Sequence, residues 1–401
     1  MVSLDDAREY VLHGCEPLGS VERTLAEASG LVLAEQLIAA ELVPPFANSA
    51  MDGFAVRSDD ARGPVQLRIV GTIAAGSNAL PEVGPGEAVR IMTGAPVPPG
   101  ADAVEMVELC EVTGEVLTLS QPVPLGKSIR EAGDDIAIGD MLAEPGVVVT
   151  PALVGLAATI GRDRLMVYPK PVVGVLSTGD ELVEPGVDLG PGQIRDSNRA
   201  ALLACLRADG FETVDLGLIA DDREAIETAI LHGVQRCDAL ITSGGVSMGD
   251  FDFVKEVLSR IAEMRWMQVA IRPAKPLAFG VIDSGGRSIP VFGLPGNPVS
   301  SLVSFELFAR PALMKMAGRA DQQRRMVRAV VDQDFRRKPD GKIHFSRVQI
   351  RQDAELVFHA VSSGGQGSHH MASMARANGL LRLDDGEGLE VGDSAAVMLL
   401  S

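Results

Sequence analysis

The chain has 401 residues, and its 36 lysines and arginines against 54 aspartates and glutamates give a formal net charge of −18. This charge argues against non-specific binding to nucleic acid, because such binding depends on basic side chains that neutralise phosphates. Hydrophobic residues make up 46% and charged residues 22% of the chain, which is typical of a globular protein and excludes a disordered acidic one. The length predicts roughly two to four domains.

The cysteines and the apolar segments indicate the compartment. Cys15, Cys110, Cys205 and Cys237 are far apart and form no CxxC pair, so we expect unreactive thiols in a reducing compartment. The N-terminal segment is acidic and amphipathic, unlike a signal peptide. No apolar run reaches the roughly 20 residues of a membrane span. A soluble cytoplasmic protein without a membrane partner is therefore predicted.

The segments before residue 171 mix helical and strand-like patterns. Apolar residues recur at helical spacing in residues 4–40, and residues 150–160 also predict a helix, with Pro151 at its first position. Between them, short apolar stretches interrupted by glycine and proline predict a small β domain.

From residue 171 onward, short strands alternate with helices. The predicted elements are strands over 172–176, 213–218 and 239–242, and helices over 199–209 and 221–234. This βαβ order predicts a parallel sheet covered by helices on both faces. Beyond Arg319 strand-like segments return and predict a closing β domain of about 80 residues.

The predicted fold class is a multidomain α/β plus β protein. Its centre is a doubly wound α/β domain, flanked by two small β domains and a helical linker domain. The predicted domains cover residues 1–45 with 143–170 (helical linker), 46–142 (small β), 171–320 (α/β) and 321–401 (C-terminal β).

Two loops that follow predicted strands carry groups suited to oxyanions. In open parallel sheets, ligands bind beyond the carboxyl ends of the strands. Glycines let backbone N–H groups approach a phosphate, and hydroxyls add donors. The same glycines would suit a tight turn that needs positive φ, so each loop alone leaves both interpretations open. The candidate residues are Ser177, Thr178, Gly179, Ser243, Gly244, Gly245 and Ser247.

Three acidic residues, Glu181, Asp221 and Asp252, follow predicted strand ends. Carboxylates do not bind a phosphate directly, but they suit Mg²⁺, which bridges to phosphate oxygens. Any one of them could instead cap a helix or be a solvated surface charge. Because all three could meet at one edge of the sheet, we favour a metal-assisted nucleotide site.

Two further segments offer groups that bind anions. Arg272 and Lys275 lie on a proline-stiffened segment and form a candidate anion clamp in an acidic chain. The alternative is a surface loop whose prolines stop sheet extension. Residues 293–300 lead into a predicted helix over 301–313, and the Gly-Asn-Pro turn there would expose N–H donors.

Other motifs favour neither a protein nucleophile nor structural zinc. Asp52-Gly53 indicates, by itself, only a hairpin turn. The adjacent His369 and His370 would point to opposite faces of a strand, which argues against a shared metal. The sequence contains no HExxH motif and no evident Ser-His-Asp set.

Together, these motifs resemble MoeA-type molybdopterin molybdenumtransferases, a family that includes the C-terminal domain of gephyrin. The matching motifs are, in chain order, Pro44-Pro-Phe-Ala-Asn-Ser-Ala-Met-Asp-Gly-Phe-Ala, Met92-Thr-Gly-Ala-Pro, Gly133-Asp-Asp-Ile, Ser177-Thr-Gly-Asp-Glu-Leu, Ser243-Gly-Gly-Val-Ser-Met-Gly, Lys275-Pro, Gly293-Leu-Pro-Gly-Asn-Pro-Val-Ser and Gly365-Gln-Gly-Ser-His. The resemblance covers essentially the whole chain, and the ordered set is far more specific than a single Gly-Gly loop.

The resemblance implies a transferase of molybdenum cofactor biosynthesis. Such enzymes use Mg²⁺, take adenylylated molybdopterin and molybdate, release AMP and leave molybdenum on the dithiolene of molybdopterin. It also implies an elongated homodimer whose helical domain serves dimerisation. The active site would lie between one protomer's α/β and C-terminal β domains and the other's small β domain. Molybdopterin adenylyltransferase would deliver the substrate, and apo-molybdoenzymes or carriers would accept the product.

The resemblance also assigns roles to residues. The expected catalytic residues are Asp52, Thr93, Asp135, Glu181, Asp221 and Asp252, the first three supplied by the partner protomer; Glu181 and Asp252 are the expected Mg²⁺ contacts. The expected binding residues are Ser177, Thr178, Gly179, Ser243, Gly244, Gly245, Ser247, Arg272, Lys275, Pro276, Pro295, Gly296, Asn297, Ser300, Arg347 and Ser368. Among them, positions associated with molybdate are Lys275, Ser300, Arg347 and Ser368.

One motif departs from the family. Members usually carry Lys-Pro-Gly-Lys where this chain has Arg272-Pro273-Ala274-Lys275. Arginine keeps the charge but changes the donor geometry, and Ala274 restricts the backbone, which leaves molybdate and tungstate open. The alternatives are therefore a tungstate-preferring paralogue, a molybdopterin adenylyltransferase and a non-catalytic dimeric scaffold. The flanking β domains and the lack of an evident interaction linker disfavour the last two.

Overall fold

A computed structural model gives the fold and describes residues 1–77, 79–245 and 253–400. The chain divides into two units. The first comprises Met1–Val21, Gly146–Val148 and Val167–Ser401, and the second comprises Glu22–Pro145 and Val149–Met166.

Most helices are short, and α1, α2, α3 and α5 begin at a residue whose side chain caps the helix. They are α1 (Leu4–His13), α2 (Leu25–Ala28), α3 (Pro151–Thr159), α4 (Asn198–Ala208), α5 (Arg223–Arg236), α6 (Phe253–Ile261), α7 (Pro298–Ser304), α8 (Arg310–Met316) and α9 (Met371–Arg376). A π-helical turn, Phe305–Ala309, joins α7 to α8, and a 3-10 turn covers Val107–Leu109. The predicted start of α3 is confirmed, because Thr150 caps it and Pro151 is its first residue.

The second unit is mostly β. Its strands, including two that begin or end just outside it, are β1 (Val21–Thr24), β2 (Val32–Leu33), β3 (Leu37–Ile38), β4 (Asn48–Ser49), β5 (Gly53–Val56), β6 (Val65–Ile73), β7 (Glu87–Ile91), β8 (Ala103–Met106), β9 (Cys110–Thr113), β10 (Val116–Leu119), β11 (Ile129–Arg130), β12 (Met141–Ala143) and β13 (Arg164–Tyr168). Six of them form a sheet in the order β8-β5-β7-β6-β10-β9. Phe54, Leu67 and Leu117 are buried in its core.

The long helical pattern predicted for residues 4–40 is wrong after α1. Thr24 begins a helix of only one turn, α2, through a capping box with Glu27. The flanking segments pair as strands in a sheet of order β1-β13-β2. Pairing with a distant strand has overridden the local helical spacing, which is only a weak signal over so few residues.

The central domain contains a six-stranded mixed sheet. Its strands, with two short neighbouring ribbon strands and one that joins another sheet, are β14 (Val172–Thr178), β15 (Leu182–Val183), β16 (Ile194–Arg195), β17 (Glu212–Ile219), β18 (Ala239–Ser243), β19 (Glu263–Gln268), β20 (Ile271–Arg272), β21 (Pro276–Ser284) and β22 (Arg287–Leu294). The order is β17-β14-β18-β22-β21-β19, and the first four strands are parallel.

The three strands predicted for the parallel sheet, β14, β17 and β18, are parallel, and β21 and β19 extend the sheet as antiparallel strands. β21 and β22 are antiparallel because Gly285 and Gly286 connect them in a tight turn with positive φ. The expected helices on both faces are confirmed. α4 and α7 pack on one face of the sheet with α1, and α5 and α6 pack on the other.

The C-terminal domain is a closed β structure. Its strands are β23 (Met326–Val331), β24 (Phe335–Arg336), β25 (Ile343–Gln352), β26 (Phe358–Ser362), β27 (Gly379–Leu383), β28 (Gly388–Leu389) and β29 (Ser394–Leu399). The sheet runs β20-β25-β26-β23-β29-β27 and closes through β25 and β27. Since β20 comes from the α/β segment, its pairing places Arg272 beside His344 of the C-terminal domain.

Candidate functional site

A cleft of about 830 Å³ opens at the carboxyl ends of the parallel strands. We call it the sheet-edge cleft. The strand register aligns Ser177 of β14 with Ser243 of β18, and Ser243 with Leu294 of β22. The loops that follow these strands are therefore adjacent, as expected for a ligand site in a parallel sheet.

Glycine is required where these loops meet. Gly244 has φ +94°, and a Cβ there would lie 3.0 Å from the carbonyl oxygen of Thr178. Gly179 has φ +149°, and a Cβ there would lie 2.8 Å from Oε2 of Glu181, so the carboxylate of Glu181 packs over Gly179. The loops thus bring backbone amides close to the cleft.

Most of the residues predicted for this edge line one cleft. They are Thr178, Gly179, Glu181, Asp221, Ser243, Gly244, Gly245, Pro276, Pro295, Gly296 and Asn297. Ser177 is buried beneath them, where its Oγ donates to Oδ1 of Asp196 at 3.2 Å. Ser247 and Asp252 lie outside the described residues.

Asn198 was not predicted as a site residue. Its Nδ2 donates to Oγ of Ser243 at 2.8 Å and to the carbonyl oxygen of Gly296 at 2.7 Å. It lines the same cleft. The only sequence signal was its place directly before the predicted helix over 199–209.

A second cleft, of about 700 Å³, lies between β20 and the C-terminal domain. We call it the basic cleft. Its basic lining residues are Arg272, Arg336, Arg337, Lys338, His344 and Arg347. Part of this charge is compensated, because Arg336 pairs with Asp334 at 2.8 Å and Arg337 pairs with Asp340 at 2.7 Å. Of these residues, only Arg272 and Arg347 were predicted from the sequence.

Arg347 organises the loop between the two clefts. It is 1% exposed, and its Nη2 donates to the carbonyl oxygens of Gly365 at 2.8 Å and Gly367 at 3.1 Å. Its Nε donates to Oγ of Ser373 at 3.4 Å. Burial lowers the pKa of Arg347 to about 10, because removal from water disfavours the cation. Two of these three hydrogen-bond acceptors are backbone carbonyls of the loop, and the third is the hydroxyl of Ser373.

The four residues that the resemblance associates with molybdate lie in different environments. Arg347 lines the basic cleft, whereas Lys275 is exposed and Ser300 is buried at the start of α7. Ser368 is partly buried, and its carbonyl oxygen accepts from the N–H of Val299 at 3.1 Å. This bond joins the loop after Arg347 to the start of α7.

Ala274, where the resemblance leads us to expect glycine, adopts a left-handed backbone. It has φ +71° and is buried. An L residue with a Cβ is disfavoured in this region. The departure noted in the sequence therefore coincides with a strained turn between Arg272 and Lys275.

In the second unit, the structure brings Asp52 and Thr93 together. Oδ1 of Asp52 accepts hydrogen bonds from the backbone N–H and from Oγ1 of Thr93, each at 2.7 Å. The backbone bond and then the hydroxyl bond hold the pKa of Asp52 below its usual range. Asp135 is exposed, and its backbone N–H donates to the carbonyl oxygen of Val43 at 2.9 Å.

Thr93→Val should raise the pKa of Asp52 toward that of an ordinary aspartate, because the hydroxyl bond that stabilises the carboxylate is lost. An NMR pH titration of the Asp52 carboxyl measures this, with Thr118→Val as the control. A depressed pKa contributes stability that is lost as the pH falls through the folded-state value, so the variant should lose less stability on acidification. An unchanged pKa would show that the hydroxyl has no part in it.

The cysteines are not placed for thiol chemistry. Burial raises the pKa of Cys15 to about 12 and of Cys110, Cys205 and Cys237 to about 11, so these thiols are protonated at neutral pH. Among residues 1–77, 79–245 and 253–400, no group of three or more His, Cys, Asp or Glu is placed to hold a metal.

The adjacent histidines differ from the strand geometry predicted for them. His369 and His370 lie just before α9, and their rings make an edge contact with centroids 4.2 Å apart. His369 lines the sheet-edge cleft.

No helix in the described part of the chain is long and apolar enough to cross a membrane.

Three family models match successive parts of the chain. The model of the MoeA N-terminal region (domain I and II) matches residues 2–161, and that of a probable molybdopterin binding domain matches residues 174–315. The model of the MoeA C-terminal region (domain IV) matches residues 328–400. Together they cover most of the chain.

Curated proteins and a solved structure are similar over the same length. The chain is 36% identical to the molybdopterin molybdenumtransferase of Haemophilus influenzae, over 97% of this chain and 96% of that protein. It is 38% identical to molybdopterin molybdenumtransferase 2 of Mycobacterium tuberculosis, over 94% and 93%. A crystal structure of the molybdopterin biosynthesis MoeA protein of Pyrococcus horikoshii superposes with a TM-score of 0.84 at 31% identity, over 100% and 99%.

Proposed function

The chain belongs to the MoeA family of molybdopterin molybdenumtransferases, and we propose that it inserts molybdate into adenylylated molybdopterin with Mg²⁺-dependent release of AMP. The observation that carries the proposal is the sheet-edge cleft. It combines hydroxyl and glycine amide donors with carboxylates at one edge of a parallel sheet. That combination suits a nucleotide phosphate together with a divalent cation.

The residues present fit a magnesium ion. Glu181 and Asp221 line the same cleft, and carboxylate oxygens are the ligands that Mg²⁺ prefers. Magnesium is commonly held by one or two carboxylates and completed by water and substrate phosphates, so no larger protein cluster is needed. When bound, the ion would neutralise charge that develops on the leaving phosphate.

The chain's own groups supply orientation. The amides and hydroxyls from Thr178 to Gly179 and from Ser243 to Gly245 would hold the phosphates beyond β14 and β18. The cations Arg272 and Lys275 would attract molybdate, which is a dianion. Placing molybdate beside the dithiolene converts an encounter in solution into an oriented local one. No covalent intermediate with the protein is needed.

We further propose a cytoplasmic homodimer. In it, Asp52, Thr93 and Asp135 of a second copy would complete the active site. This would explain why these three residues are far in sequence from the α/β loops. A molybdopterin adenylyltransferase would supply the adenylylated substrate, and apo-molybdoenzymes or carriers would receive the product.

The proposal is tested by AMP release from adenylylated molybdopterin with molybdate, tungstate or neither, at several Mg²⁺ concentrations. We expect AMP release that needs both Mg²⁺ and molybdate, with formation of the metal-bearing cofactor. Stimulation by tungstate alone would identify a tungstate-preferring paralogue. Consumption of ATP without molybdate would identify an adenylyltransferase, and no release with either oxyanion would favour a scaffold.

A further inference from the structure

The loop that begins at Ser243 and the loop that contains Gly296 are joined by one side chain from a third element, α4. Both N–H groups of the Asn198 carboxamide are used, one toward Ser243 and one toward Gly296. The amide orientation is fixed, because the carbonyl of Gly296 can only accept. Ser243 lies 45 residues and Gly296 lies 98 residues from Asn198 in sequence.

We propose that Asn198 is a positioning residue that fixes the separation of these two loops, so that both sets of donors act on one bound substrate. The inference rests on the proposed function for the identity of that substrate. Asn198 differs from the loop residues because it acts through Ser243 and Gly296.

Hydrogen bonds at the start of α4 fix the position of Asn198. Asp196 is buried and accepts the backbone N–H of Arg199 at 3.1 Å, which fixes the first turn of α4. The same carboxylate accepts from Oγ of Ser177 at 3.2 Å, which ties this turn to the end of β14. Strand ends β14, β18 and β22 are therefore linked through the start of α4.

We expect the loss of Asn198 to lower the rate of the reaction more than it weakens substrate binding. Each loop can still contact a phosphate by itself, but catalysis depends on reacting groups held in register, and a misplacement of about 1 Å can slow a reaction about 100-fold. In Asn198→Ala we expect kcat for AMP release to fall about 10- to 100-fold. The KM for adenylylated molybdopterin should change less than about threefold, because the loop donors remain.

The isosteric Asn198→Asp variant separates positioning from packing. Aspartate fills the same volume, but its carboxylate cannot donate and would face the carbonyl oxygen of Gly296. If Asn198 served only to fill space, aspartate would restore activity. We expect Asn198→Asp to be no more active than Asn198→Ala.

Asn378 offers a matched control in the C-terminal domain. It also makes two bonds to backbone, since its Nδ2 donates to the carbonyl oxygen of Ile350 at 2.9 Å and its Oδ1 accepts from the N–H of Ile350 at 2.6 Å. It lines neither cleft. Asn378→Ala should lower stability to a similar extent but leave kcat within about twofold of the wild-type value.

Hydrogen exchange tests the geometry without the reaction. The N–H of Gly244 donates to the carbonyl oxygen of Leu294 at 3.1 Å, so it reports the contact between the loops. Exchange in residues 239–245 and 291–297 should become at least about tenfold faster in Asn198→Ala and stay unchanged in Asn378→Ala.

The outcomes are distinct. A kcat of Asn198→Ala within twofold of wild type, recovery in Asn198→Asp, or unchanged exchange would overturn the positioning role. If wild-type protein releases no AMP under any condition, the proposed function fails, and the exchange experiment still decides whether Asn198 holds the loops together.

Discussion

Arg199→Met is expected to lower the free energy of unfolding by about 3–5 kcal/mol. The side chain of Arg199 is 9% exposed and meets three carboxylates, Asp196 at 2.9 Å and Asp215 and Glu184 at 2.5 Å each. Burial disfavours its cation, but the hydrogen bonds that Arg199 donates to Asp215 and Asp196 outweigh this and raise the pKa of Arg199. Methionine keeps much of the volume and removes the charge. The loss of stability would therefore come from a buried carboxylate that is left without its cation.

Asp196 is the carboxylate that would suffer most, because it is 1% exposed whereas Asp215 and Glu184 reach solvent. The double variant Arg199→Met with Asp196→Asn should therefore recover much of the loss, since no buried charge is left. Arg260→Met, which removes an exposed ion pair with Glu227, should cost less than about 1 kcal/mol.

The measurement is urea unfolding followed by fluorescence of Trp266, the single tryptophan, which lies on β19 of the same sheet. A loss below about 1 kcal/mol, or no recovery in the double variant, would contradict this account of Arg199.

The local sequence pattern was sufficient to predict β14 and β18, the strands at whose ends the sheet-edge cleft lies. β14 and β18 were predicted from short apolar runs followed by glycine, and their ends carry the predicted hydroxyls. Buried parallel strands have this continuous apolar pattern because both of their faces are covered. The same reasoning predicted α4 and α5 to within a few residues, because their buried positions follow helical spacing.

The features of the fold and of the site that the sequence pattern did not predict depend on contacts between distant segments. The antiparallel strands β21 and β19 have the same apolar character as parallel ones, so pattern alone could not assign their direction. The basic cleft combines Arg272 with Arg336 and Lys338 through the pairing of β20 with β25. Asn198 was missed for the same reason, since both of its partners lie on other loops.

Glu181→Gln is expected to slow AMP release at least about 100-fold, equivalent to about 2.7 kcal/mol in the barrier. Glutamine preserves the size of the side chain that packs over Gly179, but it lacks the negative charge that favours a magnesium ion. The fold should therefore persist while the metal-dependent step is impaired. Asp188→Asn is the matched control, because Asp188 is an exposed carboxylate in the same segment and does not line the cleft.

The dependence on Mg²⁺ separates a metal contact from other roles of Glu181. If its carboxylate binds the ion, the Mg²⁺ concentration for half-maximal AMP release should rise at least about tenfold in Glu181→Gln, and excess Mg²⁺ should restore part of the rate. Asp188→Asn should titrate like wild type. A rate that falls without any change in the Mg²⁺ requirement would instead assign Glu181 a direct role toward the substrate. An unchanged rate at all Mg²⁺ concentrations would show that Glu181 has no role in the reaction, because the cleft would then act without the carboxylate of Glu181.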